Sequence, residues 1–244
     1  MQSDIALNVN LRTEKTMPLF NPKDLHFIET VAGLVYCNPF LPERIEAERR
    51  ALGSDFLEVD PIWSLRVTPG ENEKRNVERI MERATKALEI ARRKMMEGEE
   101  SAGSRERELY EDVVHFVVFH RYADRLRELA ERGPRHWGRR IGVWDDFSRD
   151  YRHFMALPGL PEPGAEHEAH VFACCFQIRR AFHHIFVSLV GRSLPAARLR
   201  AAIWQSIFTH DMRRYSRVLY ERLADFPTLV VGPSGTGKEL VASA

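Results

Sequence analysis

Phe226-Pro-Thr-Leu-Val-Val-Gly-Pro-Ser-Gly-Thr-Gly-Lys-Glu-Leu-Val-Ala-Ser-Ala244 sets the reading of the whole chain. The short apolar run Leu229 to Val231 reads as a buried strand, and the residues after Lys238 as the start of a helix. Between them stand Gly232, Pro233, Ser234, Gly235, Thr236 and Gly237, followed by Lys238 and Glu239. Strand, glycine-rich turn and helix start form the context of a phosphate-binding loop. Glycines let the backbone come close to phosphate oxygens and turn its N–H groups towards them. Lys238 supplies a point charge for the outer phosphates. The spacing Gly232-x-x-x-x-Gly237-Lys238 fits this loop, but Glu239 stands where most such loops carry the Ser or Thr that holds Mg²⁺.

With that substitution, Gly232-Pro-Ser-Gly-Thr-Gly-Lys-Glu-Leu-Val-Ala resembles the Walker A loop of the bacterial enhancer-binding proteins, the AAA+ activators of sigma-54 RNA polymerase. Upstream, Ile207-Phe208, Met212, Val218-Leu219 and Asp225 are similar to the opening helix of that ATPase domain. The family usually has Glu at the place of Pro233 and Arg at the place of Ser243. The resemblance spans about Ile207 to Ala244. It implies binding of ATP with Mg²⁺ by residues 232–239 and the start of an α/β AAA+ domain over 207–244. It also implies sigma-54 RNA polymerase and DNA as partners of the full-length family, and a homo-oligomeric ring. Walker B carboxylates, the sigma-54-contacting loop, the arginine finger and the DNA-binding helix-turn-helix would by the same resemblance follow Ala244. The expectation is therefore an N-terminal portion of a longer activator, with an incomplete ATP site. ATPase activity is expected only if the chain continues, and no catalytic residue is assigned.

Composition sets the broad class. Of 244 residues, 44% are hydrophobic and 29% charged, an ordinary globular balance. A net charge of +1 gives no chain-wide basic footprint for nucleic acid. Cys37, Cys174 and Cys175 form no disulfide framework, no leader pattern opens the chain, and Arg179, Arg180, His183 and His184 interrupt its longest apolar stretch. A cytoplasmic location is expected.

Residues 1–206 read as a mostly helical regulatory or sensor domain, unlike the α/β and mixed folds of response-regulator, GAF or PAS modules. Helices are expected over Lys23–Leu34 and from Pro42 to Ala51, while Phe56–Val67 supports no assignment. Thr68, Pro69 and Glu71 form a capping box ahead of a stripe of Val77, Met81, Ala84, Leu88, Ala91 and Met95. A second long helix, Arg105–Glu131, carries His115, Phe119, Tyr122, Leu126 and Leu129 on one face, and Gly133-Pro134 stops it. The two are expected to pair as a helical hairpin. Trp137, Trp144, Phe147, Tyr151 and Phe154, with Asp145, Asp146 and Asp150, read as core packing with a polar outer face. Pro158–Gly164 is the best internal break.

The helix after it, Glu166 to about Val190, buries Val171, Cys175, Ile178, Phe182, Ile185 and Leu189 and sets Gln177, Arg180, His184 and Ser188 on a polar stripe. His167, His170 and Cys174 share a face, with no clear fourth metal ligand nearby, and no metal site is assigned. Two further helices are expected at Ala196–Ile207 and His210–Ala224, the second coupling sensor to motor. Its effector is unknown. The alternatives are a stand-alone helical protein–protein interaction module with a remnant loop, or a helical protein that binds a metal or small molecule.

Overall fold

Asn21 opens the first described helix as its sequence dictates: its side-chain oxygen accepts the N–H of Asp24 at 2.9 Å, and Pro22 occupies the first turn. The computed structural model describes residues 18–59, 71–98, 103–132, 142–208, 215 and 229–243. Over these the chain is mostly helical, with no strand among the described residues. Helix α1 spans Pro22–Leu34, α2 Glu43–Leu52, α3 Glu71–Glu97, α4 Ser104–Arg132, α5 Gly142–Met155, α6 Ala165–Ser188, α7 Leu194–Phe208 and α8 Lys238–Ser243. The Thr68 cap, Trp137, the Gly133-Pro134 stop and, apart from Tyr215, the helix expected over His210–Ala224 lie outside the described residues.

Helix α4 is the hub. Leu109, Tyr110, Val113, Val114, Phe116, Val117, Val118, Tyr122 and Leu126 are all buried, so its middle is apolar nearly all round. Such a helix needs neighbours on every side, and α1, α3, α5 and α6 all pack on it. The expected pairing of α3 with α4 is present, as one contact among several. On α3 the buried face runs through Asn76, Ile80, Ala84, Ala87, Leu88, Ala91 and Met95, while Val77 and Met81 are half-buried at its edge. Asn76 belongs there because its amide satisfies both backbone groups of Leu57. It donates to the carbonyl at 2.7 Å and accepts the N–H at 2.9 Å. A buried amide with both ends matched carries no desolvation penalty for an unmade bond.

The aromatic row of α5 is core. Phe147, Tyr151 and Phe154 are buried, and Phe147 meets Phe172 of α6 edge-on at 5.0 Å. Asp146 and Asp150 face α4: Asp150 pairs with Arg121 at 2.8 Å and accepts the Tyr122 hydroxyl at 2.9 Å, and Asp146 pairs with Arg125 at 2.8 Å. The segment 158–164 is a turn, where Gly159 takes φ +82°, a conformation that disfavours any side chain. The core runs on across this turn, since Val171, Phe172, Cys175 and Phe176 of α6 join the cluster built by α1 to α5.

A second, smaller core lies at the other end of α6. Phe40 stacks on Phe182 at 5.2 Å and meets Trp204 edge-on, with Ile185, Phe186, Leu189, Ala201, Phe208 and Tyr215 around them. Arg200 is buried there, donating to the carbonyls of Leu189 and Gly191 at 2.9 and 3.0 Å. It thereby satisfies acceptors just past the end of α6, with a cation where the helix dipole favours one. None of the described helices is long and apolar enough to cross a membrane.

Candidate functional site

The loop from Gly232 to Lys238 projects from the helical body. Gly232 to Thr236 are exposed and Gly237 and Lys238 half-buried, with Glu239 exposed at the start of α8. The sequence places a buried strand before the loop; the structure corrects this. Leu229 and Val231 are 85% and 79% exposed, and residues 229–233 are in neither helix nor strand. A strand needs a neighbour to take its backbone N–H and C=O groups, and the described helices provide none.

The turn itself forms without the sheet. Gly235 and Gly237 both adopt φ +78°, the left-handed region that glycine enters without strain. Lys238 folds back across the loop, its Nζ donating to the carbonyls of Gly232 and Pro233 at 3.0 and 2.7 Å. Thr236 closes the turn from within, its hydroxyl donating to the Pro233 carbonyl at 2.8 Å. A Cβ added at Gly232 would sit 3.1 Å from that hydroxyl, so the close turn favours glycine there. The carbonyl oxygens of Gly232 and Pro233 are thus directed to the ammonium. By contrast, the backbone N–H groups of Ser234, Gly235, Thr236, Gly237 and Lys238 donate to no acceptor among the described residues. Backbone N–H groups without acceptors on a glycine turn beside an ammonium suit an anion with several oxygens. At position 239 the turn carries a carboxylate in place of the hydroxyl that usually completes the Mg²⁺ site of such a loop.

Helix α8 follows the loop directly and packs on α6, with Val241 against the second core. The loop is therefore anchored to the helical body on its C-terminal side.

The other candidate side chains go elsewhere. His167 Nε2 lies 3.1 Å from the Tyr151 hydroxyl, and His170 Nε2 lies 3.7 Å from Cys174 Sγ. Burial pushes the Cys174 thiol up to about 12 and that of Cys175 higher still, so both stay protonated near neutral pH. Among the described residues no group of three His, Cys, Asp or Glu side chains is placed to hold a metal ion. His115 stacks on Tyr151 at 6.0 Å, an aromatic core contact. Between these helices sits Glu168, fully buried, which accepts from Ser148 Oγ at 2.6 Å and from Arg152 Nε. Burial works to raise its carboxyl, yet the hydrogen bonds from Arg152 and Ser148 prevail and hold it below the usual carboxylate range. Spacing along the chain gave no sign of this pair, because Glu168 and Ser148 lie on different helices.

Of the basic group on α6, Arg179 lies over the Phe182 ring at 5.3 Å, and His183 Nδ1 approaches Glu131 at 3.9 Å. Arg180 is exposed and His184 half-buried, on the side of α6 nearest α8. Comparison with protein-family models, curated proteins and solved structures finds no match for this chain.

Proposed function

We propose that Gly232–Glu239 is an ATP phosphate-binding loop opening an AAA+ module, and that residues 1–206 are the regulatory region of a sigma-54-interacting transcriptional activator. The observation that carries this reading is the loop's own geometry: Lys238 crosses over it while the backbone N–H groups of Ser234 to Lys238 have no acceptor among the described residues. Such an array matches the oxygens of a β- or γ-phosphate. The family resemblance of Ile207–Ala244 supports the choice of ATP and of sigma-54 RNA polymerase, acting at DNA in a homo-oligomeric assembly, as eventual partners. Leu229 and Val231 fit the same reading, because the first strand of such a module is covered by neighbouring strands of its own sheet.

In this reading the chain's residues bind and orient the nucleotide. Lys238 exchanges its two carbonyl partners for phosphate oxygens, and Gly235 and Gly237 keep side chains out of the approach path. Mg²⁺, when it arrives with the nucleotide, supplies charge neutralisation of the phosphates. Hydrolysis needs in addition a water-positioning group and an acidic metal ligand, and none is assigned among these residues. Regulation runs through α6, on which α8 packs.

Isothermal titration calorimetry with ATP tests the assignment. Saturable binding is expected, weakened by about ten- to a hundredfold in Lys238→Ala, the range for loss of a charge-assisted hydrogen-bond donor. Equal affinity in the two proteins, or no binding in either, rejects it.

A further inference from the structure

From Ala169 of α6 to Phe208 at the end of α7 the chain carries five arginines and no aspartate or glutamate, although its net charge overall is only +1. Arg179 lies over the Phe182 ring and Arg200 is buried, whereas Arg180, Arg192 and Arg198 are exposed. From α4, Glu131 approaches this segment at His183, but its carboxylate pairs with Arg127 at 2.8 Å. The same segment exposes apolar side chains. Val187 and Val190 are 51% and 52% exposed, and Leu194 and Leu199 are exposed as well. Four of the nine large apolar side chains exposed among the described residues thus fall between 187 and 199, in one stretch with Arg192 and Arg198.

The turn that joins the two helices is fixed from beneath. Arg200 donates to the carbonyls of Leu189 and Gly191, the residues on either side of Val190, and Leu189 itself is buried. A buried guanidinium that holds the backbone on both sides makes the exposure of Val190 a property of the fold, not of a frayed helix end. Val190 and residues 192–195 are all exposed, and among the described helices α7 packs mainly on α6, so the turn stands out from the body. A protruding turn offers a partner helix no groove. A second copy of it would bring arginine against arginine. The phosphate backbone of a nucleic acid would leave the valines and leucines uncovered. An anionic bilayer meets both features, since aliphatic side chains enter the headgroup boundary while guanidinium groups reach lipid phosphates.

We propose that the α6–α7 turn docks the protein on membranes of anionic lipid, with Val187, Val190 and Leu194 in the headgroup boundary and Arg192 and Arg198 on lipid phosphates. Arg180 and Val187 stand two helical turns apart on one side of α6, so cationic and apolar groups adjoin there too. The contact is peripheral, because no described helix is long and apolar enough to cross a membrane. None of these residues lies in 232–239, so the lipid site stands or falls apart from the phosphate loop.

Flotation of the full chain with vesicles tests this, comparing equal parts of phosphatidylglycerol and phosphatidylcholine with phosphatidylcholine alone at about 0.1 M salt. The native chain is set beside two double variants, Arg192→Gln with Arg198→Gln and Val190→Ser with Leu194→Ser. All four positions are exposed, so the far-ultraviolet circular dichroism spectra are expected to coincide. The native chain is expected to bind the anionic vesicles at least about tenfold more tightly than the neutral ones. Each double variant is expected to lose about tenfold or more on the anionic vesicles. Raising the salt to about 1 M is expected to weaken binding of the native chain, a readout that needs no variant. No binding to anionic vesicles, or equal binding to both kinds, overturns the site, as does binding indifferent to salt. Undiminished binding by the Val190→Ser, Leu194→Ser chain reduces the contact to charge attraction and overturns the inserted turn. An amphipathic helical peptide of leucine and glutamate is titrated by calorimetry in parallel. Saturable binding of that peptide where the vesicles fail assigns the turn to an acidic protein partner and overturns the lipid site.

Discussion

His120 should make this fold acid-sensitive well above the carboxylate range, and the effect can be isolated. The imidazole lies on α4 between Phe116 and Phe119, with ring centroids at 4.4 and 5.1 Å. Burial, and then the cations of Arg44 and Arg179, push its pKa from 6.5 down to about 3. Between those two values the unfolded chain holds a proton that the folded chain refuses, so acid favours unfolding. The contribution is fully present above the unfolded value and is lost as pH falls through 6.5 towards 3. At pH 5 the gap below 6.5 is about 1.5 units, and at about 1.4 kcal/mol per unit the loss is about 2 kcal/mol. Other groups titrate in the same interval, so the native chain alone does not isolate it. Urea denaturation of the native chain and His120→Leu at pH 7.5 and pH 5.0 does, because the carboxylates common to both cancel in the double difference. The native chain should lose about 2 kcal/mol more than the variant over that interval. Equal losses would refute the argument, and would mean that the imidazole takes up its proton without unfolding.

Leu88→Ala removes a fully buried side chain from the main core, and chemical denaturation should register a loss of about 3–4 kcal/mol. Tyr110→Phe deletes the buried hydroxyl that donates to the Phe154 carbonyl at 2.9 Å, leaving that acceptor unmatched; about 1–2 kcal/mol should be lost, read from the same denaturation midpoint. Glu168 has a depressed carboxyl, so its contribution is present above pH 4.5 and is lost as pH falls through the folded value. Acid titration of the folded fraction should therefore show a shallower fall below pH 4.5 in Glu168→Gln than in the native chain, and parallel curves would contradict the assignment.

Much of the helical architecture could be read from local signals. The helix expected over Lys23–Leu34 is α1, Pro158–Gly164 separates α5 from α6, and the apolar periodicities of α3 to α7 carry those helices. What escaped that reading depends on partners distant in sequence. Asn76 looks like one more polar residue on a charged helix, yet the structure buries it against the backbone of Leu57. Arg200 and Glu168 are buried charges whose partners lie on other segments, beyond the reach of i, i+4 reasoning. The apolar run Leu229–Val231 has the composition of a buried strand, but composition carries no information on whether a second strand stands beside it. For the loop, spacing located Gly232–Lys238 and its glycines, since backbone conformation at Gly235 and Gly237 is a local property.

The central claim is that the backbone from Ser234 to Lys238 holds phosphate. Amide chemical shifts of the ¹⁵N-labelled chain, followed as ATP or pyrophosphate is added with Mg²⁺, address it directly. Resonances of Ser234, Gly235, Thr236, Gly237 and Lys238 should move together and saturate at the same ligand concentration, and the movement should be much reduced in Lys238→Ala. If those five amides stay in place at millimolar nucleotide while others shift, the loop does not bind phosphate and the proposed function is wrong.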